Sequence, residues 1–403
     1  MTMSVFKLDP AEKEALDAGF SAAFGGMPDR YFSAPGRTEI GGNHTDHQRG
    51  RVLAAAVNLD TVAAVRENGT DRIRVLSKGY PMCQVCLQEL TPSEAEINTT
   101  SALVRGVAAR FTQLGCRVRG FDAYCRSTVL PGSGLSSSAA FEVLMGTILN
   151  HMFFDAKASQ AEVAQIGQYA ENVFFGKPCG LMDQTASAVG NLVSIDFFEK
   201  DHPVIRPVQF DFDTCGHALC IIDTGADHAD LTQEYAAVPG EMKAVAAYFG
   251  KEVLSQVEET AFLAAMPQLR QTCGDRAVLR ALHFYKENAR VWQQVEALEQ
   301  GDFGRFLSLV KESGRSSYMY LQNVTPSGSQ AHQAVALTLA MCAHYLRGRG
   351  AYRVHGGGFA GTVQAFVPYD MLEDFRAGIE AVLGTGSCHV LRIRPQGGVP
   401  CEG

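Results

Sequence analysis

Apolar residues along this chain follow two spacings, which predict a β-rich first half and a mostly helical second half. Short runs rich in valine and alanine predict strands, and apolar residues three and four positions apart predict helices. Before residue 224, strands are expected at 51–66, 73–76, 83–90, 118–129, 192–198, 204–212 and 218–223, and helices at 99–114, 137–154 and 159–175. Beyond it, helices are expected from 230 to 348, then a strand within 354–367, a helix at 369–383 and a strand at 389–394.

The chain length predicts two lobes. Its 403 residues exceed one average domain. Short predicted strands lie on either side of residue 213, and the helical pattern begins soon after it. We therefore expect one domain at 1–213 and a second at 214–403.

Composition changes this picture mainly by excluding classes of partner. Apolar residues make up 46% of the chain, enough for a sizeable core, and a formal charge of −8 disfavours nucleic acid, whose phosphates attract excess lysine and arginine. No run reaches the roughly eighteen apolar residues of a membrane span, and the N-terminus does not resemble a signal peptide. Eleven scattered cysteines indicate reduced thiols and a cytoplasmic location. The lone CxxC at 83–86 indicates buried thiols in a strand rather than a zinc site.

The densest group of polar side chains is at 33–47, SAPGRTEIGGNHTDH, which follows a short apolar strand and is expected to form a loop. Glycines at 36, 41 and 42 allow tight turns and a close approach to a ligand. Between and after them lie an arginine, two acids and two histidines, whose side chains can converge on one small hydroxylated molecule. This segment therefore indicates a sugar site.

A glycine- and serine-rich segment at 131–140, PGSGLSSSAA, joins a predicted strand to a predicted helix. Its glycines let backbone N–H groups point to one spot, and the helix N-terminus adds positive potential. Serine hydroxyls at 136–138 can bond phosphate oxygens or Mg²⁺. An ordinary strand–turn–helix junction with serine caps fits the same residues. The chain has no Gly-Lys-Ser/Thr of a Walker A loop, and Ser137 stands where a dinucleotide fingerprint has its third glycine.

Two further features can carry chemistry. Glu171 and Asp183 lie twelve residues apart, across the end of a predicted helix. One such carboxylate can hold a metal while the other accepts or orients a substrate hydroxyl. The alternative is a solvated Glu171 and an Asp183 that caps the next helix. A glycine run at 356–361 indicates a backbone pressed against a ligand or a neighbouring element.

Taken in order, these segments resemble the motifs of the GHMP small-molecule kinases and, within them, the galactokinases. Residues 36–46 resemble the galactokinase signature, and 131–140 resemble the phosphate loop of the superfamily. Residues 180–184, GLMDQ, are similar to the segment with the catalytic aspartate, and 356–361 are similar to the third motif. Residues 223–235 resemble a stretch that ends in a sugar-contacting tyrosine.

The resemblance covers about residues 29–367 and implies a fold and a reaction. The fold is the two-lobed α+β GHMP kinase fold, with an N-terminal ribosomal protein S5-like α/β lobe, a C-terminal α+β lobe and the active site between them. The implied reaction transfers a phosphoryl group from ATP, with Mg²⁺, to the C1 hydroxyl of galactose. The implied partners are the sugar and ATP, without nucleic acid or membrane, and the chain is expected to be a monomer or a weak homo-oligomer.

The resemblance also implies site residues. Arg37 would stabilise charge on the transferring group and keep Asp183 ionised, and Asp183 would accept or orient the C1 hydroxyl proton. Ser138, with Ser137 as a near alternative, and Glu171 would coordinate Mg²⁺. The residues implied to bind the sugar are Glu39, Asn43, His44, Asp46, Gly180 and Tyr235. The residues implied to bind ATP are Pro131, Gly132, Ser133, Gly134, Leu135, Ser136, Ser137, Ser138 and Ala139.

Two departures from the galactokinase pattern bear on the substrates. That pattern has an asparagine two residues after the arginine and, before His-Thr-Asp, a glutamate that contacts the sugar C6 hydroxyl, whereas this chain has Glu39 and Asn43. Either Glu39 restores the carboxylate, or the pocket admits a galactose altered at C6 or C2, such as galacturonate, galactosamine or arabinose. The helix expected to place an aromatic ring on adenine has none at 99–106. A non-catalytic sugar and ATP sensor is the alternative of another class, but the complete segment 134–140 favours an enzyme.

Overall fold

The computed structural model describes residues 6–129, 134–177, 179–199, 202–226 and 231–402. Its strands are β1 Phe6–Lys7, β2 Arg30–Gly41, β3 Arg51–Glu67, β4 Arg72–Ser77, β5 Cys83–Cys86, β6 Phe121–Ser127, β7 Leu192–Asp196, β8 Val204–Val208, β9 His217–Asp223, β10 Ala351–His355, β11 Thr362–Pro368, β12 Cys388–Leu391 and β13 Val399–Glu402. Its helices are α1 Pro10–Phe24, α2 Thr100–Gln113, α3 Ser137–Phe153, α4 Gln160–Tyr169, α5 Met182–Val189, α6 Thr232–Tyr248, α7 Glu259–Thr272, α8 Asp275–Glu299, α9 Phe303–Ser316, α10 Ala334–Leu346 and α11 Leu372–Leu383.

Within the described residues, the larger sheet has nine strands in the order β1-β13-β2-β3-β6-β4-β5, with β7 paired to β3 and β8 paired to β7. Its longest ladder is antiparallel and joins β2 to β3, from Arg30 opposite Val65 to Gly41 opposite Leu53. Register shifts interrupt this ladder between residues 35 and 37 and between 39 and 41. Most of the expected loop at 33–47 is therefore strand, because pairing with β3 satisfies its backbone groups despite its glycines.

Helices α2, α3 and α4 supply apolar side chains to one core of this sheet. Val107 and Phe111 of α2 and Ile148 of α3 are buried together with Phe121 of β6. Two starts follow local signals in the sequence: the Thr99 side chain caps α2, and a Ser159–Glu162 capping box opens α4. These three predicted helices are confirmed, although the last ends at residue 169 and continues as a π-helical turn, Ala170–Phe175.

In the part of the chain that the structure describes, the smaller sheet has four strands in the order β10-β11-β9-β12, and all their pairings are antiparallel. Helices α6 to α10 lie between β9 and β10 in the chain, which confirms the predicted helical stretch. The predicted α+β architecture with two lobes is also confirmed, whereas the boundary near residue 213 stays a prediction. The pattern did not predict β13, a four-residue strand that returns to the larger sheet between β1 and β2.

One apolar core joins the two sheets. It contains Ile40 of β2 and Leu135 beside α3, together with Phe212, Phe306 and Phe366 from the later part of the chain. The end of β2 and the start of α3 therefore lie where the two lobes meet. All eleven cysteines are free, as expected for reduced thiols. Within the described ranges, no helix has the length and apolar character needed to cross a membrane.

Candidate active site

Strand β2 ends in a tight turn that carries three of the six predicted sugar-binding residues, Asn43, His44 and Asp46. Gly42 has a φ of 91° and His44 a φ of 57°, so the chain reverses directly after the strand. The Thr45 hydroxyl donates to the Gly42 carbonyl at 2.8 Å and closes this reversal. A short 3₁₀ turn, Asp46–Gln48, then leads to β3. We refer to residues 42–50 as the signature loop.

An ion pair joins Arg37 of β2 to Asp183 of α5, 146 residues later in the chain. Arg37 Nε donates to Asp183 Oδ1 and Nη2 donates to Oδ2, both at 2.8 Å. Arg37 Nη1 donates to the carbonyl oxygen of Gly134. The arginine side chain is only 10% exposed, whereas that of Asp183 is 30% exposed, so the carboxylate remains open to a ligand.

Electrostatics keep this carboxylate ionised at neutral pH. Burial by itself raises the pKa of Asp183, but the Arg37 guanidinium and a hydrogen bond from Ser136 outweigh it and hold the pKa below its ordinary value. The Asp183 carboxylate in turn raises the pKa of Arg37 against the opposing effect of burial. Asp183 does not cap α5 through its side chain, since the N-cap position is Leu181 and no side-chain cap is formed.

The glycine- and serine-rich segment lies directly against this pair. Pro131, Gly132 and Ser133 lie outside the described residues. Gly134 and Ser136 have φ values of 70° and 56°, and α3 begins at the following residue. The carbonyl of buried Leu135 accepts from the Arg37 backbone N–H at 3.0 Å. The hydroxyls at 136–138 are half-buried and Ala139 is buried, so the N-terminus of α3 opens beside Arg37 and Asp183.

A buried acid cluster lies behind this surface. Glu171 is in the π-helical turn and is 3% exposed, so it is not a solvated residue. Its Oε1 accepts from Lys177 Nζ at 3.1 Å, and its Oε2 accepts from Gln184 Nε2 at 2.9 Å. The same Gln184 nitrogen donates to Glu142 Oε2 at 2.9 Å. Burial and the neighbouring Glu171 raise the pKa of Glu142 well above its ordinary value.

The residues present fit a magnesium ion held partly by substrate. Among the described side chains, no group of three or more histidines, cysteines and acids is positioned so that it could hold a metal ion. Mg²⁺ in phosphate-transfer sites usually takes only one or two carboxylates and receives its other ligands from phosphates and water. Glu171 is a charged oxygen donor whose charge Lys177 compensates, and Ser138 offers a hydroxyl at the start of α3.

Asp46 and Gly180 approach each other across the site. A Cβ added at Gly180 would lie 2.8 Å from Asp46 Oδ2, so a larger residue there would displace the Asp46 carboxylate. Burial raises the pKa of Asp46, although the nearby His44 opposes it. Two sugar-site candidates that are far apart in the sequence are therefore brought together.

The histidines of the signature loop form a hydrogen-bonded chain. His44 Nε2 lies 3.0 Å from the Gly357 carbonyl, which can only accept, so this nitrogen carries a proton. Gln48 Nε2 donates to His47 Nδ1 at 3.2 Å, so neutral His47 carries its proton on Nε2 and donates it to His44 Nδ1 at 3.2 Å. Burial and His44 hold the pKa of His47 well below its ordinary value. Both ring nitrogens of His44 thus have protein partners.

The exchanged residues Glu39 and Asn43 contact each other inside a buried network. Asn43 Nδ2 donates to Glu39 Oε1 at 3.1 Å and to the Gly356 carbonyl at 2.6 Å, and its Oδ1 accepts from Asn323 at 2.9 Å. Glu39 forms an ion pair with fully buried Arg353. Asn43 is 0% exposed and Glu39 is 5% exposed. Both side chains therefore already have protein hydrogen-bond partners. Direct contact of the sugar with Glu39 or Asn43 stays a prediction, and this geometry does not favour it.

Tyr235 of α6 packs against the glycine run at 356–361. Its hydroxyl donates to the Gly358 carbonyl at 2.9 Å, and burial raises its pKa to about 12. A Cβ at Gly357 would lie 2.8 Å from Tyr235 Cε1, and a Cβ at Gly358 would lie 2.1 Å from the Asn323 carbonyl oxygen. Of the two alternatives for this run, the structure shows close packing against neighbouring protein elements.

Several residues that support the site were not predicted from the sequence. Arg353 pairs with Glu39, and Asn323 holds both Asn43 and the glycine run. His355 Nε2 lies 3.0 Å from the Thr38 hydroxyl, which places the start of the glycine run against β2. Of these residues, only His355 could have been found from the sequence, because it directly precedes the glycine run. Arg353 and Asn323 are ordinary polar residues with no motif around them.

A cavity of about 460 Å³ opens beside Ser137 and Ser138. Its walls include Leu103 of α2, Phe141 of α3 and Tyr80, whose side chain is 60% exposed. An aromatic ring is therefore available next to the start of α3, although it comes from residue 80 and not from the helix where the pattern places one.

A family match and the fold define the class of protein. Residues 102–191 match the GHMP kinases N terminal domain. The fold is similar to that of a D-glycero-D-manno-heptose 1-phosphate kinase from Bacteriodes thetaiotaomicron, with a TM-score of 0.63, 16% identity and coverage of 92% of this chain and 98% of that chain. It is also similar to Methanococcus jannaschii mevalonate kinase, with a TM-score of 0.64, 12% identity and coverage of 91% and 99%. The chain thus has the GHMP kinase fold.

Two further comparisons relate the chain to one group within the GHMP kinases. Residues 18–67 match the galactokinase galactose-binding signature. The crystal structure of Lactococcus lactis galactokinase complexed with galactose has a TM-score of 0.81, 24% identity and coverage of 96% of this chain and 99% of that chain. The predicted relationship to the galactokinases is confirmed, and with it the prediction of an enzyme of that type.

Proposed function

We propose that the protein transfers the γ-phosphoryl group of ATP to the C1 hydroxyl of galactose and releases galactose 1-phosphate and ADP. The observation that carries this proposal is the ion pair between Arg37 and Asp183, which lies against the turn at 134–136. It joins an ionised carboxylate to the open N-terminus of a helix, the two parts that hydroxyl orientation and phosphate binding require. The galactokinase match supports a sugar substrate.

In this proposal Asp183 orients the C1 hydroxyl and receives its proton. Because Arg37 lowers the pKa of Asp183, the carboxylate is a weak base and accepts the proton late. The sugar oxygen forms a bond to phosphorus while the bond from phosphorus to the ADP oxygen breaks, and the C1 hydroxyl proton passes to Asp183 as the new bond forms. Such loose phosphoryl transfer depends mainly on positioning and on charge stabilisation, which a weak base suits.

The helix N-terminus would bind the ATP phosphates. In this proposal the backbone N–H groups of the first turn of α3 and the serine hydroxyls at 136–138 donate hydrogen bonds to phosphate oxygens. Ser138 and Glu171 would hold Mg²⁺, which neutralises part of the phosphate charge when it is bound. Arg37 adds fixed positive charge beside the transferring group.

The cavity beside Ser137 and Ser138 would receive the adenine, with Tyr80 against its face. Base stacking on an aromatic ring contributes roughly 1–3 kcal/mol. Tyr80→Ala is therefore expected to raise the KM for ATP about tenfold while the sugar KM stays unchanged. Tyr80→Phe keeps the ring and is the matched control, since it is expected to behave like the wild type.

A galactose altered at C6 is the second candidate substrate, and one observation favours it. Asn43 stands where the galactokinase pattern has the glutamate that contacts the C6 hydroxyl, yet Asn43 is fully buried and bonded to protein. The site would then discriminate among groups at C6 less strongly than a glutamate with a charge-assisted hydrogen bond does.

The test of the main proposal is a sugar panel with ATP and Mg²⁺. Galactose, galacturonate, galactosamine and arabinose are compared side by side, and the product is identified by phosphorus and proton NMR. The expected result is galactose 1-phosphate at the highest kcat/KM. A panel in which galactose comes last would overturn galactose as the substrate.

The variant Asp183→Asn tests the chemistry assigned to Asp183. It keeps the shape of the side chain but removes its charge and most of its basicity, so kcat is expected to fall at least about 100-fold while galactose binding is kept. Asp275→Asn, an exposed position far along the chain, serves as a neutral substitution of the same type. Equal turnover by the wild type and Asp183→Asn would refute the role of Asp183.

A further inference from the structure

Gln184 follows Asp183 in α5 and is completely buried. Its side-chain nitrogen donates to two carboxylates at once, Glu142 and Glu171, each at 2.9 Å. The galactokinase-like reaction described above gives this glutamine no role. A buried amide between two acids is a costly arrangement unless its bonds are used, because each acid loses hydration when it is buried.

The three residues belong to three different elements. Glu142 is on α3, whose N-terminus faces the proposed phosphate site, and Glu171 is on the π-helical turn. Gln184 is on α5, one residue after Asp183. One nitrogen atom therefore ties together the elements that carry the phosphate site, the proposed metal carboxylate and the reacting carboxylate.

Packing restricts the glutamine to this position. A Cβ added at Gly167 of α4 would lie 3.2 Å from Gln184 Cγ and 3.2 Å from Glu142 Cβ, so α4 closes over both side chains. The other amide atom of Gln184, Oε1, and Glu142 Oε1 are buried without a hydrogen-bond partner among the described residues. The link from Gln184 to Glu142 and Glu171 thus depends on Gln184 Nε2 alone.

We infer that Gln184 is a positioning residue that fixes Glu171 for metal binding relative to Asp183, with Glu142 as its anchor on α3. This inference rests on the proposed function, since it takes Glu171 as the metal carboxylate. Groups that orient a metal ligand typically account for 10- to 100-fold in metal affinity or activity. Lys177 reaches the other oxygen of Glu171 from a largely exposed position, so it cannot fix the carboxylate as a buried amide does.

The first test is Gln184→Leu, measured in two ways. The Mg²⁺ concentration for half-maximal turnover is expected to rise at least about tenfold while the KM for galactose stays near that of the wild type. The increase in melting temperature produced by ADP with Mg²⁺ is expected to shrink, and the increase produced by ADP with EDTA is expected to stay. Unchanged magnesium dependence in both measurements would overturn the inference.

Asn150→Leu is the matched structural control. Asn150 is a buried amide on the same helix α3. Among the described residues, its side chain bonds only the backbone of Ala158, donating to the carbonyl and accepting from the N–H. Its loss is expected to lower the melting temperature without a change in magnesium dependence. The same result for Gln184→Leu would show a purely structural role.

An exchange variant separates positioning of Glu171 from a simple tie between helices. Glu142→Gln combined with Gln184→Glu restores a carboxylate–amide bond between positions 142 and 184, but it places a carboxyl group against Glu171. The inference expects this variant to fold and to remain impaired in its magnesium dependence. Full recovery of wild-type behaviour would show that only the bond between α3 and α5 matters, and would overturn the inference.

Failure of the inference and failure of the proposed function give different results. If the wild type phosphorylates none of the four sugars, the proposed function is wrong, and the thermal shifts with ADP still test Gln184. If the wild type is active and Gln184→Leu differs only in melting temperature, the inference alone is wrong.

Discussion

At the scale of single residues, neighbours and burial set the chemistry of the site. Asp183 would have a raised pKa through burial alone, and it is ionised because Arg37 holds it through two parallel hydrogen bonds. His355 shows the opposite balance. Burial, with Arg37 and Arg353 nearby, lowers its pKa well below the ordinary value and keeps the ring neutral.

Arg37→Met is expected to move the acidic limb of the kcat profile to higher pH. Without the guanidinium, burial acts unopposed and the pKa of Asp183 rises, so protonation removes activity at a higher pH than in the wild type. Arg37→Lys keeps one charge but cannot form both bonds, so its limb is expected between the two. Turnover between pH 4.5 and 8 tests this prediction, and coincident limbs for all three proteins would contradict it.

His355 is expected to contribute to loss of stability in acid. The unfolded chain binds a proton near pH 6.5, whereas the folded chain does so only well below that value, so the free energy of unfolding decreases as pH falls from about 6.5. His355→Gln should reduce this slope by up to about 1.4 kcal/mol per pH unit. Urea unfolding at pH 7, 6 and 5 measures it; an unchanged slope would mean that the ring titrates normally when folded.

At the scale of elements, strand β2 brings the signature residues to their positions. Its pairing with β3 is interrupted on both sides of Arg37, and at its end Gly41 faces α8. A Cβ at Gly41 would lie 2.0 Å from Gln294 Oε1, a fully buried side chain of that helix. Gly41 is therefore required for close approach of strand and helix, not for an unusual backbone conformation.

Gly41→Ala is expected to destabilise the protein by about 1–3 kcal/mol, because the added methyl group overpacks the contact with Gln294. Gly240→Ala is the matched control. Gly240 lies inside α6 with open space where its Cβ would be, so alanine there should stabilise by roughly 0.5–1 kcal/mol. Chemical unfolding of both variants distinguishes the effects, and equal changes in stability would show that the contact at residue 41 relaxes easily.

At the scale of the whole molecule, the second lobe holds the signature loop from behind. The Gly42 N–H donates to Glu287 of α8 at 3.2 Å, and His283 of the same helix lies 2.9 Å from the Asn43 carbonyl. The pair of Glu39 and Arg353 joins the larger sheet to the smaller one. The candidate site is therefore complete only when both lobes are packed together.

Glu39→Gln is expected to cost about 3–5 kcal/mol, because it leaves the Arg353 charge buried without its partner. Adding Arg353→Met should recover part of this loss, since it removes the isolated charge. Asp370→Asn breaks an exposed pair with Arg349 and is expected to leave the unfolding midpoint unchanged. Denaturant unfolding of the wild type, Glu39→Gln, Arg353→Met and the double variant gives the coupling between Glu39 and Arg353, and additive effects would contradict the prediction.

The sequence by itself determined the order of most elements and the chemistry of the motifs. The helices at 100–113 and 137–153 follow from apolar spacing, and the galactokinase signature follows from residues that are close in the chain. Such local patterns survive folding because capping, turn formation and amphipathic spacing depend on near neighbours.

Only the tertiary structure decided which distant groups meet. Arg37 reaches Asp183 across 146 residues, and β13 returns to the larger sheet although its four residues have no strong pattern. The exchanged Glu39 and Asn43 lie in the signature but are enclosed by Arg353 and Asn323. Burial and pairing arise when two lobes close over a side chain, so the sequence around these residues does not contain them.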